Sequence, residues 1–327
     1  MPEGEAVPLF QAVILFGPTA SGKTEILEEL FEGGAFPRPP ELISADSMQV
    51  YRGMDIGTAK PSPRLRSLFP HHLIDIRNPG EQFNAGEFVR LADEAVREIS
   101  GRGALPVISG GTGFYLKNFI NGLPEAPPSD GQIRAALREE LRLKGAAALA
   151  EELAACDPVS AGRIHLHDEY RLLRALEVFR LSGRPLSSYR ASGAGPEARG
   201  HYRFLIIGLK RSREELYRRI NERCAAMFRS GLPAEVLKLR NAGYGPRDPG
   251  MRAIGYREFF VESSGGGPSL SPDLPAVEAL IARNSRRYAK RQLLYFASIP
   301  GVIWISAEDN PAARIRRELA EFFRPPL

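Results

Sequence analysis

The sequence predicts an α/β fold, a parallel sheet with helices on both faces and a small helical domain inserted, and three observations predict it. Strand-like and helix-like segments alternate through the first third of the chain. An apolar run over residues 12–16 ends directly in a glycine-rich turn. Between two breaker-rich segments the alternation gives way to a continuous run of helix formers. Parallel strands need crossover helices, so the alternation itself argues for a helix-covered parallel sheet.

The elements follow in order. Residues 12–16 read as a strand, 23–33 as a helix, 41–45 (ELISA) as a second strand, 88–100 as a helix and 104–111 as a third strand. Residues 123–130 (LPEAPPSD) and 191–200 (ASGAGPEARG) have the Pro, Gly and Ser content of linkers. Ala, Leu, Glu and Arg dominate between them, as in IRAALREELRLKGAAALAEELAA, which reads as helix. The core is thus assigned to residues 1–123 and 201–327, and the helical insertion to 124–200. Beyond it lie an expected strand at 202–210 and a helix closed by Gly231. A surface loop at 263–275, a long basic helix at about 276–297 and a last short strand at 302–307 complete the expectation.

With 327 residues, 43% hydrophobic and 25% charged, the chain has the material for two globular domains. The N-terminus carries acidic residues where a secretory signal would be basic, and its apolar run stops at Gly17, too short to cross a membrane. A cytoplasmic protein with no membrane contact is expected. Cys156 and Cys224 stand far apart without a CxxC pattern, so neither a disulfide framework nor a zinc site is suggested, and both read as buried filler. The net charge of +5, carried largely by arginine, is compatible with nucleic acid and equally with solvated helix faces.

Chemistry begins at Gly17, Pro18, Thr19, Ala20, Ser21, Gly22, Lys23 and Thr24, which match GxxxxGK[ST]. Glycines let the backbone curl so that its N–H groups point at a phosphate, and the following helix adds its positive end. Lys23 supplies a point charge, and the Thr24 hydroxyl is placed to hold Mg²⁺. Ligands in such folds sit at the carboxyl ends of strands, where Asp46 and the turn Gly110-Gly111-Thr112 also fall. From position alone Asp46 is a magnesium ligand, a general base or a helix cap. The segment after it, with Tyr51, Arg52, Asp55, Thr58 and Lys60, is longer than a simple connection requires.

Arg213, Arg219 and Arg223 lie on one predicted helix, to reach the phosphate loop or to pair with Glu215 or Glu222. Arg283, Arg286, Arg287, Lys290 and Arg291 recur at helical spacing, as a phosphate-backbone track or a solvated face. His165 and His167 diverge if helical, which argues against a metal site, and Asp168 reads as an N-cap.

In order and over nearly the whole chain, GPTASGKT, ISADSMQVYRGMDIGTAKPS, HHLIDIRNP, GGTGFYLKNFINGL, DPVSAGRIHLHDEYRLLRALEVFRLSGRPLS, LYRRINERCAAMFRSGLPAEV and RAIGYREF resemble the bacterial tRNA dimethylallyltransferases, also called tRNA isopentenyltransferases. The resemblance implies a P-loop NTPase-like fold with a helical insertion. It implies transfer of a dimethylallyl group from dimethylallyl diphosphate to N6 of adenosine 37 in tRNAs reading codons that begin with U. It further implies that Asp46 is the general base, that Thr24 acts at the diphosphate, and that Arg223 binds the diphosphate together with the phosphate loop. The tRNA anticodon stem-loop would meet Asp46, Ser47, Met48, Gln49, Thr112, Arg134, Tyr170, Arg171, Leu172, Leu173, Arg174, Arg252, Ala253, Ile254, Gly255, Tyr256 and Arg257. Mg²⁺ is the implied cofactor, and a monomer is expected. Tyr170 stands where the family commonly has Gln, so stacking replaces an amide there. The segment NSRRYAKRQLLYF keeps Tyr288, Lys290, Arg291 and Gln292 of the family pattern, with Ser285 in place of the usual Thr. Rival readings are an adenylate isopentenyltransferase acting on free AMP, a small-molecule P-loop kinase, and an RNA-binding module that uses its nucleotide as a switch.

Overall fold

A computed structural model describes residues 9–123, 126–191, 199–263 and 267–324. The elements are β1 (Phe10–Phe16), α1 (Lys23–Glu32), β2 (Pro40–Ser44), α2 (Pro63–Leu68), β3 (His71–His72), α3 (Ala85–Gly101), β4 (Leu105–Gly110) and α4 (Gly113–Asn121). Then come α5 (Gly131–Cys156), α6 (Pro158–Ala161), α7 (Glu169–Ser182), α8 (Leu186–Ala191), β5 (Tyr202–Lys210), α9 (Arg213–Arg229) and α10 (Leu232–Asn241). The last are β6 (Phe260–Ser263), β7 (Gly267–Leu270), α11 (Leu274–Phe296), β8 (Ile303–Ser306) and α12 (Pro311–Phe322).

The main sheet has the order β3-β2-β4-β1-β5-β8, and every pairing in it is parallel. The chain leaves β1 for β2, returns through β4 and crosses to β5 on the far side of β1, so strand order reverses beside β1. A crevice opens at such a point, outside the carboxyl ends of the strands. Period-two alternation places Val13 and Leu15 on one face, in a buried cluster with Ile26, Leu27 and Leu30 of α1 and Ile315 and Leu319 of α12. On the other face Phe16 packs against Phe296 of α11, with ring centroids 4.7 Å apart. A further cluster joins Leu216, Ile220 and Cys224 of α9 to Val236 of α10, Ile281 and Ala289 of α11, and Val50, Met54, Tyr256 and Phe259.

By contacts the chain forms two compact units, residues 1–119 with 201–327, and residues 120–200. The smaller is helical. Its α5 breaks at Gly145 (φ 80°), and Leu137, Leu149 and Leu153 of that helix pack with Leu172, Leu173 and Leu176 of α7. Asp130 caps α5 by accepting from Gln132 and Ile133 N–H, and Asp168 caps α7 by accepting from Arg171 N–H, as its position suggested.

Three expectations change. Gly231, read as a helix stop, lies in the left-handed region (φ 95°) and is also the N-cap of α10, so one glycine turns the chain between two helices. The loop expected at 263–275 contains a strand: residues 267–270 pair antiparallel with Phe260–Ser263. The two breaker-rich segments and the triglycine of that hairpin fall partly outside the described residues, at 124–125, 192–198 and 264–266. Cys224 is buried as expected, whereas Cys156 is half-buried.

Candidate active site

The phosphate loop runs straight from β1 into α1. Gly22 has φ 96°, a conformation that suits glycine, and Ala20 has φ 62°, which an L side chain adopts at a cost. Two arginines hold that strained turn from outside: Arg219 Nε donates to Ala20 O (3.0 Å), and Arg211 donates to Ser21 O (3.3 Å) and Ala307 O (3.0 Å). Lys23 Nζ donates to Gly17 O (2.8 Å) and Pro18 O (2.9 Å). Thr19 N–H donates to Gln292 Oε1 (2.9 Å) and Ser21 N–H to Pro18 O (3.2 Å). The N–H groups of Ala20, Gly22 and the first turn of α1 are left to face a ligand.

The neighbouring strand ends close the crevice. Gly110 at the end of β4 lies against the backbone of Ala45, where an added Cβ would sit 2.1 Å from Ala45 O. Thr112 N–H donates to that same carbonyl (3.1 Å), and Thr112 Oγ1 accepts from Ser47 N–H (3.0 Å). Between them stands Asp46. Its Oδ1 accepts from Met48 N–H (2.9 Å) and Gln49 N–H (3.3 Å), while Oδ2 makes no hydrogen bond among the described residues. One oxygen caps the turn and the other is available for chemistry.

Cations converge on this carboxylate. Burial, with the charge of Arg223 as a second cause, lowers the Lys23 ammonium to about 8, although Asp46 opposes the shift. Burial also lowers Arg223 from its ordinary value, again against Asp46. Arg223 makes no hydrogen bond or ion pair among the described residues, so its guanidinium is uncommitted beside Lys23 and Asp46. Burial and the Asp46 charge push the Tyr288 phenol up to about 12, while its bonds to Thr112 and Gln292 pull the other way.

The other arginines take different roles. Arg218, not Arg219 or Arg223, pairs with Glu215 (2.7 Å) and with Glu222. Arg219 pairs with Glu25 (2.9 Å) while holding the loop. Arg286 donates to Asn221 Oδ1 (2.5 Å), and Arg283, Arg287 and Lys290 are exposed.

Several positions implied for tRNA contact prove to be interior. Leu172 and Leu173 belong to the core of the helical unit, because helical period turns them toward α5, so their side chains are structural. Tyr256 is fully buried, its hydroxyl donating to Glu235 Oε1 (2.7 Å), and Ala253 and Gly255 are buried beside it, whereas Arg252 and Arg257 are exposed and Ile254 is half-buried. Within the helical unit Arg134 lies over the Tyr170 ring, 4.8 Å from its centroid, and Tyr170 is 68% exposed. Arg171 is exposed beside it. Arg174 instead donates to the buried Glu177 (2.8 Å), which also accepts from Ser129 Oγ (2.6 Å) and Asp130 N–H (2.9 Å). Burial pushes Glu177 up, but those bonds prevail and hold its carboxyl below the usual range.

Sequence reasoning left Gln292, Arg211 and Glu235 without a role. Gln292 had a readable signal, for it shares a helical face with the buried Ala289 and Phe296, and a polar residue on an apolar face is buried with partners.

A family model described as IPP transferase matches residues 49–298, most of the chain. The chain belongs to the IPP transferase family. Among curated relatives, the tRNA dimethylallyltransferase of Geobacter sulfurreducens is 46% identical over 300 residues, covering 91% of this chain and 92% of that protein. The tRNA dimethylallyltransferase 2 of Geotalea uraniireducens is 43% identical, covering 95% and 96%. Among solved structures, the tRNA isopentenylpyrophosphate transferase of Bacillus halodurans superposes with TM-score 0.65 at 35% identity, covering 95% of this chain and 97% of that one. A eukaryotic dimethylallyltransferase acting on tRNA shares the fold, with TM-score 0.75 at 22% identity and coverage of 94% and 77%. This member of the IPP transferase family is an enzyme with the parallel α/β core of its relatives.

Proposed function

We propose that this chain transfers the dimethylallyl group of dimethylallyl diphosphate to N6 of adenosine 37 in tRNAs reading codons that begin with U. One observation carries the reading: a carboxylate with a free oxygen, Asp46, sits across a phosphate loop from two buried cationic side chains, Lys23 and Arg223. A kinase needs the cations, but a base beside them suits an amine that must lose a proton.

The step balances. The N6–C1 bond forms as the allylic C1–O bond breaks, the electron pair of that bond leaves on the diphosphate, and the N6 proton passes to Asp46 Oδ2. An exocyclic amine is a very weak acid, so Asp46 helps by taking the proton as the bond forms. Lys23, Arg223 and the N–H groups of Ala20 and Gly22 bind the diphosphate where negative charge develops. Among the described residues no cluster of three His, Cys, Asp or Glu could hold a metal alone. Mg²⁺ keeps several waters and takes substrate phosphate oxygens, so the exposed Thr24 hydroxyl with the diphosphate fits it, and the ion would supply further charge neutralisation there.

In the helical unit the exposed Tyr170 ring, stacked on the half-buried Arg134 and beside the exposed Arg171, and in the core unit the exposed Arg252 and Arg257, each supply ring or arginine chemistry that suits an anticodon loop with its base splayed out. Among the described residues no helix is long and apolar enough to cross a membrane. The proposed enzyme works on tRNA as a cytoplasmic monomer. The test incubates the protein with Mg²⁺, labelled dimethylallyl diphosphate and an unmodified anticodon stem-loop, beside free AMP. Label is expected on the stem-loop. Label on AMP alone, or ATP hydrolysis without prenyl transfer, overturns the reading.

A further inference from the structure

Gln292 lies on α11 with both ends of its amide occupied. Oε1 accepts from Thr19 N–H in the phosphate loop (2.9 Å), and Nε2 donates to Gly111 O in the turn after β4 (2.7 Å). The side chain is 5% exposed. A Cβ at Gly111 would lie 2.7 Å from Nε2, so a larger residue there would push the amide aside. The next residue, Thr112, donates its N–H to Ala45 O (3.1 Å), and Thr112 Oγ1 accepts from Ser47 N–H (3.0 Å), next to Asp46. A continuous path of polar contacts therefore joins the loop that grips the diphosphate to the turn that carries the carboxylate.

We propose that Gln292 is a positioning residue that sets the distance between the diphosphate-binding loop and the Asp46 turn, an inference that rests on the prenyl-transfer reading. The chemistry asks for an amide at this point, since one planar group must accept from Thr19 and donate to Gly111. Leucine does neither. An ionised carboxylate accepts but cannot donate, and it faces the Gly111 carbonyl with like polarity. A protonated carboxyl does both, as the amide does. Displacing a base from its amine by about 1 Å costs on the order of 100-fold in rate, without removing any group that binds either substrate.

The test measures single-turnover prenyl transfer to the stem-loop, with donor and stem-loop affinities measured separately. Gln292→Leu should lower the rate about 30- to 100-fold while both affinities stay within about threefold. Gln292→Glu should recover activity relative to wild type by about fivefold or more as pH falls from about 9 to about 6, because burial raises a carboxyl and lets it take up the missing proton. A purely structural side chain would not give that pH signature, and the Glu variant decides the matter if the Leu variant fails to fold. A Leu rate within about threefold of wild type, or a Glu-to-wild-type ratio flat with pH, overturns the inference. Wild type that prenylates no RNA removes the parent reading as well, so the two failures are distinguishable.

Discussion

Asp46 divides its labour between two oxygens, and that division tells which substitution is informative. Asp46→Ala would remove the bonds from Met48 and Gln49 N–H along with the proposed base, whereas Asp46→Asn keeps an acceptor at Oδ1 and removes only the proposed proton acceptor. The Asn variant should lose about 10²- to 10⁴-fold in single-turnover rate with stem-loop affinity nearly unchanged. A loss under about tenfold, measured with both substrates saturating, would show that another group takes the proton. Lys23 makes a separate prediction. Its folded value is depressed to about 8 from 10.5, so between those values the unfolded chain holds a proton that the folded chain lacks, and stability rises with pH through that window. Below about 8 the ammonium is charged and buried at a cost, which a diphosphate offsets. Binding of a non-hydrolysable allylic diphosphate near pH 8 should therefore take up part of a proton, seen as a buffer-dependent calorimetric enthalpy. Lys23→Arg should abolish that uptake, and equal uptake in wild type and variant would reject Lys23 as its source.

At the scale of elements, the long segment after Asp46 is fixed by one carboxylate. Glu235 of α10 accepts from the N–H groups of Asp55 (2.9 Å), Ile56 (2.8 Å) and Gly57 (3.1 Å), as well as from the Tyr256 hydroxyl. Glu235→Ala strips partners from all four and should cost about 3 kcal/mol, read as a lower urea midpoint at unchanged slope. A loss below about 0.5 kcal/mol would mean that water replaces the carboxylate without penalty. This device also marks where the sequence stops being readable. Strand and helix periods are local, so β5 was legible to the residue, and so were the loop glycines and Asp168 as a cap. Glu235 lies about 180 residues from the backbone it holds at Asp55, Ile56 and Gly57, and nothing local distinguishes it from any other glutamate on a helix. The burial of Leu172, Leu173 and Tyr256 was hidden differently: motif resemblance marks a segment as a whole, while helical period turns Leu172 and Leu173 inward and the bond to Glu235 meets Tyr256 inside its turn. The hairpin at 260–270 escaped because a run of Gly, Ser and Pro has loop composition, yet its backbone pairs across only four residues.

For the molecule as a whole, the phosphate loop and the carboxylate share one unit with the sheet, and the Arg134–Tyr170 stack belongs to the other. Phosphate-loop chemistry alone would accept any adenine amine that reached Asp46. Selectivity must then come from binding energy gathered far from the reacting nitrogen, which remote contacts convert into rate by holding the acceptor in place. Free AMP carries none of the surrounding RNA, so its kcat/KM should fall about 10⁴-fold or more below that of the stem-loop, mostly in kcat. With the proposed arginine contacts made to phosphates, stem-loop affinity should drop steeply with added salt, at about −0.7 per neutralised phosphate in a plot of log affinity against log salt. Arg252→Ala or Arg257→Ala should each flatten the slope by about one contact. The stack should behave otherwise. Tyr170→Ala should weaken binding by about 1–3 kcal/mol with the slope intact, as loss of base stacking does. If Tyr170→Ala instead changed the slope and left low-salt affinity alone, the ring would be serving only to hold Arg134, and the arginine would be the contact.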